Sequence, residues 1–160
     1  MGKINYTDVR CIGRTLALFV FKREHIIPYR GENSVEYMTI ICDIKNSCQL
    51  DNRESVQMQL IRTLKEVNKK YASFIAAPFI ITLGDEWQGL MNLQCNYHEI
   101  IAFFQDRMSG IKFYTGIGIG EVTISNFELT VNQLDGPSFH KARKAIGLAK
   151  QLDYSLVLIK

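Results

Sequence analysis

Hydrophobic residues along this chain recur with two different periods, and the switches between them mark its elements. "YMTIICDI", Tyr37 to Ile44, is apolar at nearly every position, which predicts a strand covered on both faces. Asp51, with Glu54 three residues on, has the pattern of a helix start. Apolar residues then recur at Val56, Leu60, Leu64, Val67 and Tyr71, so a helix is expected to about Tyr71 with that stripe in the core. Pro78 opens "FIITLG", and "WQGLMNL" returns after an acidic turn, which reads as a hairpin. Asn96 and Glu99 begin a second helix whose inner face is Tyr97, Ile100, Ile101, Phe104 and Met108.

The pattern alternates again in "IKFYTGIGIGEVTI". Ile111, Phe113, Thr115, Ile117 and Ile119 form one face of a strand, and the other ends in Gly116, Gly118 and Gly120. Three glycines on one face mean close approach to the backbone, by a packed helix or by a ligand. Asp135-Gly136-Pro137 starts a third helix with Phe139, Ala142, Ile146 and Ala149 inward, and "YSLVLI" closes the chain as a strand. The order β-α-β-β-α-β-α-β predicts an α+β fold with helices mainly on one side of a mixed sheet. It is a ferredoxin-like βαββαβ core with an added helix and C-terminal strand.

Residues 1–34 show no sustained period and end in the breaker-rich "PYRGENS". They read as a poorly ordered leader before a single domain over residues 35–160. One expectation is a native start near Val35 or Met38. A peptide from Lys3 to Arg23 found in cells by mass spectrometry would rule it out.

Composition narrows the function classes. With 160 residues, 47% of them hydrophobic and 22% charged, the chain suits one soluble globular domain. Cys11, Cys42, Cys48 and Cys95 have no zinc or CxxC spacing, and Cys42 lies inside an apolar strand, so reduced thiols and a cytoplasmic setting are expected. The apolar run from Leu16 to Phe21 is too short to span a bilayer, so no membrane partner is expected. Of the 19 basic and 16 acidic residues, six and three fall in the first 34, which leaves a neutral body. A nucleic-acid-binding face is therefore disfavoured.

Chemistry points to two acidic places. Asp43 ends the first central strand, where α/β proteins gather ligand-handling residues. Asp85 and Glu86 sit at the hairpin tip on what should be the neighbouring strand. Alone, "GDE" is an ordinary turn. Beside Asp43 it becomes half of a metal site, because adjacent carboxylates repel unless a cation lies between them, and Mg²⁺ favours such oxygens together with substrate phosphates. Consecutive strand residues face opposite ways, so only one of the pair can point at a given site, although a tight turn relaxes the rule; of the two, Asp85 is the better candidate. The loop Ile44, Lys45, Asn46 and Ser47, whose amides lie just before the first helix, is the candidate phosphate-binding segment, together with Gly84. His25, His98 and His140 have no ligand spacing.

The blocks "YMTIICDIKNS", "FIITLGDEWQGL", "TGIGIGEV" and "LDGPSFHKARKAIGLAK", in that order over residues 37 to 150, resemble the SatD family of bacterial proteins. More distantly, the pattern is similar to class III nucleotide cyclases and GGDEF diguanylate cyclases. That resemblance implies that Asp43 and Asp85 are metal aspartates and Glu86 the acid beside the second. Gly84 would be the hairpin glycine, and Arg143 would match a phosphate-stabilising catalytic arginine. Phe139 stands where class III cyclases carry a ribose asparagine, and Leu83-Gly84 replaces the glycine pair of the GGDEF signature. The expected function is binding of a nucleotide or polyphosphate through Mg²⁺, with metal-assisted nucleotidyl or phosphoryl transfer as the chemistry. The alternative is a non-catalytic cyclase-like sensor or protein-interaction module, in either case compatible with a homodimer.

Overall fold

The computed structural model describes residues 8–12, 15–20 and 35–160. From residue 35 the chain runs β3 (Glu36–Ile44), α1 (Arg53–Lys70), β4 (Ile75–Leu83), β5 (Glu86–Asn92), α2 (Tyr97–Arg107), β6 (Phe113–Glu121), α3 (Pro137–Leu152) and β7 (Leu156–Ile159). Two strands precede them, β1 (Asp8–Ile12) and β2 (Thr15–Val20). The sheet order is β1-β2-β7-β6-β3-β5-β4. β3 is antiparallel to both β5 and β6, whereas β7 runs parallel to β6 and to β2. From β3 onward the elements follow the expected order, and the ferredoxin-like core with its added helix and strand is present. The expected leader falls largely outside the described residues; within it, β1 and β2 extend the sheet past β7.

β3 is apolar on both faces because both are covered. Met38, Ile40, Cys42 and Ile44 face α1 and α2, in one core with Leu60, Val67, Trp87 and Phe104. Ile41 faces the other way, against Ala142 and Ile146 of α3. The predicted stripe on α1, from Val56 to Tyr71, is buried in full. α1 and α2 thus share one face, and α3 takes the opposite one.

The glycine face of β6 decides where α3 sits. A Cβ at Gly116 would meet the backbone of Ala142 and Ile146, and one at Gly118 would meet that of Ser138 and Ala142. The close approach is therefore to a helix, one of the two occupants the glycines allowed. Two boundaries moved. Asn52, not Asp51, precedes the first residue of α1, and β4 begins three residues before Pro78. Proline is tolerated there because β4 is the edge strand and Pro78 is exposed. Next to it, the Asn68 side chain of α1 both donates to the Phe79 carbonyl and accepts from its amide.

Candidate functional site

Strand register brings the acids together. Asp43 lies opposite Glu86 on β5 and opposite Tyr114 on β6. Directly opposed residues project to the same face, here the face of α3, since Ile41 two residues earlier packs on that helix. The turn that makes this possible is Gly84-Asp85, held between Leu83 and Glu86. Gly84 has a φ of 59°, the left-handed conformation a two-residue hairpin asks of glycine. The Gln57 side chain of α1 clasps the turn by donating to the Gly84 carbonyl at 3.3 Å.

α3 supplies a cation to each acid. Lys150 Nζ donates to Asp43 Oδ2 at 2.8 Å, and Arg143 Nη1 donates to Glu86 Oε2 at 2.6 Å. The Thr82 hydroxyl donates to the other Glu86 oxygen, Oε1, at 2.8 Å. The carboxylate side chains are 20% and 11% exposed, whereas those of Lys150 and Arg143 are 43% and 55% exposed. Each acid is therefore set into the sheet, and each cation leans over it from solvent. Beneath Asp43, burial pushes the Cys42 thiol up to about 12; the charges of Asp43 and Glu86 add to the rise, and a contact with Thr115 opposes it.

Chemically, this is a charge-balanced cluster that can trade partners. Its carboxylates offer hard oxygens to a divalent cation, and its guanidinium and ammonium offer donors to phosphate. The donor set fits Mg²⁺, which is bound by one or two carboxylates plus waters and substrate phosphates. Among the described residues, no three His, Cys, Asp or Glu side chains converge to make a closed, all-protein metal cage.

Residues 37–159 match the model of the SatD family. The chain belongs to the SatD family. No curated protein matches it. Solved structures share its fold at low identity. The dimeric guanylyl cyclase domain of the RhoGC fusion protein from the aquatic fungus Blastocladiella emersonii is 16% identical, with a TM-score of 0.51, over 71% of this chain and 74% of that one. A bacterial light-regulated adenylyl cyclase is 15% identical, with a TM-score of 0.53, over 79% and 75%. The GGDEF domain of YfiN from Pseudomonas aeruginosa is 12% identical, with a TM-score of 0.50, over 78% and 82%. At these identities the likeness is one of fold.

In this SatD-family chain the expected site residues are distributed as follows. Asp43, Glu86 and Arg143 come together, and Asp85 lies in the adjoining turn, partly exposed. It is thus Glu86 whose register matches Asp43. The Ile44 side chain is buried in the α1/α2 core. The Lys45 amide is committed to the Lys112 carbonyl at 2.8 Å, and its Nζ is bonded to Asp153. Asn46 and Ser47 form the turn and short 3₁₀ segment that follow. Sequence reasoning missed Lys150. Its signal was present, because it stands seven residues after Arg143, two turns along the same side of α3. No helix among the described residues is long and apolar enough to cross a membrane.

Proposed function

We propose that this protein binds a nucleotide or other polyphosphate together with Mg²⁺ on the cluster of Asp43, Glu86, Arg143 and Lys150. The observation that carries the reading is the cross-strand pair of largely buried carboxylates, each balanced by a half-exposed cation of α3. Asp43 and Glu86 would hold the metal, leaving its other positions to water and to phosphate oxygens. Arg143 and Lys150 would release the acids and turn to phosphate oxygens. When bound, the metal supplies charge neutralisation and Lewis acidity suited to phosphoryl or nucleotidyl transfer. The fold shared with nucleotide cyclases and a GGDEF domain supports the ligand class.

A thermal-shift panel of nucleoside triphosphates and cyclic dinucleotides, with and without Mg²⁺, tests this. A Mg²⁺-dependent rise in melting temperature is expected, and Asp43→Ala should abolish it. No such rise, or an equal one in the variant, overturns the reading.

One observation favours a second reading, a nucleotide sensor without turnover. Phe139, four residues before Arg143, is buried in an apolar cluster with Val131 and Leu134, so that position offers no polar group to a ribose. Chromatography after incubation with Mg²⁺ and nucleotide separates the two readings, since a sensor returns its ligand unchanged. Either reading is compatible with a homodimer. Sedimentation with and without nucleotide measures it.

A further inference from the structure

Beside the acidic cluster, on the β6 side of Asp43, lies a cleft of ≈ 360 Å³. Its lining includes Lys45, Asn46, Lys112, Tyr114 and Asp153. Lys45 Nζ donates to Asp153 Oδ1 at 2.9 Å, and the Tyr114 hydroxyl donates to the same oxygen at 3.0 Å. Lys45 Nζ also lies 4.1 Å from the centroid of the Tyr114 ring, and the lysine side chain is 15% exposed. One lysine and a phenol thus converge on one carboxylate, whose own side chain is 79% exposed, and Lys112 lines the same cleft.

Asp153 is out of place by local rules. It caps the C-terminus of α3, where the helix dipole disfavours an acid. Its φ of 54° lies in the left-handed region, which at this position usually falls to glycine or asparagine. The positive cleft it enters accounts for the acid where the helix does not. Consistently, the bonds from Lys45 and Tyr114, and the charges of Lys45 and Lys112, hold its carboxyl below the usual range.

We propose that this cleft is a second, metal-independent anion site, which takes a phosphate-sized group on Lys45, Tyr114 and Lys112 and whose Lys45 and Tyr114 donors are held by the Asp153 carboxylate when no ligand is bound. Lys45 has three donors and Tyr114 one, enough for two phosphate oxygens, and the second lysine supplies the remaining charge. Because Asp153 competes with the ligand, the unliganded protein binds anions weakly until that side chain swings out. The site does not depend on the metal reading of Asp43 and Glu86.

Calorimetric titration with inorganic pyrophosphate in the presence of EDTA tests it. Asp153→Asn keeps the shape and suits the left-handed backbone, so it removes the competitor with little strain. It should bind pyrophosphate about tenfold more tightly than the wild type. Adding Lys45→Gln or Lys112→Gln to Asp153→Asn should cancel the gain, whereas Asp106→Asn, a remote charge control, should leave affinity unchanged. Melting curves confirm that each variant is folded. No gain in Asp153→Asn, a gain that survives loss of Lys45, or an equal gain in Asp106→Asn overturns the proposal. Because no divalent metal is present, failure here leaves the Mg²⁺-dependent reading standing, and the reverse also holds.

Discussion

Arg143 and Lys150 act on carboxylates that the sheet holds in place. If the cations and a bound metal compete for the same acids, freeing Glu86 should help the metal alone. Arg143→Gln is thus expected to raise affinity for Mg²⁺ in the absence of nucleotide while reducing the nucleotide-dependent thermal shift, with calorimetry reading the first effect. Unchanged Mg²⁺ affinity would count against partner exchange. Two cysteines provide a second test at this scale. Cys42 is buried and its thiol is pushed up to about 12, whereas Cys48 is exposed. At pH 8 the Cys42 thiol stays protonated, so iodoacetamide should label Cys48 and spare Cys42 in the folded protein, as read by peptide mass spectrometry. Asp43 and Glu86 were legible as residue types, because an acid ending a strand and an acid in a hairpin tip are both written in the chain. Which of Asp85 and Glu86 meets Asp43 was not, since a one-residue change of register exchanges the faces.

At the scale of elements, the contact between α3 and β6 positions the candidate site, because Arg143 and Lys150 reach the acids only from a helix lying close to the sheet. Gly118 sets that distance: an added Cβ would collide with the Ser138 carbonyl and the Ala142 amide, both backbone atoms that cannot rotate away. Gly118→Ala should therefore cost about 3 kcal/mol or more, the upper range for overpacking, and lower the melting temperature accordingly. It should also weaken the nucleotide-dependent shift, because α3 must lift. Helices α1 and α2 were readable from their stripes because burial on one side imposes a period of 3.6. The start of β4 was not. Proline normally argues against a strand interior, and its tolerance depends on β4 lying at the sheet edge, a fact of topology.

Across the whole molecule, β7 lies between β6 and β2, and all four of its residues are buried. A protein beginning at Val35 would leave one edge of β7 without its partner. Lower thermal stability or self-association is expected from that shortened chain, measured by melting and sedimentation, since a bare, apolar edge strand invites pairing. A shortened chain that melts like the full one and stays in the same oligomeric state would show that residues 1–34 are dispensable to the fold.

The sequence by itself determined the element order from residue 37 onward, the α+β class, the burial of the helical stripes and the close approach at Gly116 and Gly118. These follow from periodicity and side-chain size, which act locally. Tertiary structure alone decided that α3 covers the face opposite α1 and α2, that Glu86 is the partner of Asp43, and that Lys150 and Asp153 face charges more than a hundred residues away. Such pairings depend on strand register and helix placement, and no local pattern encodes the distance between side chains that far apart in the chain.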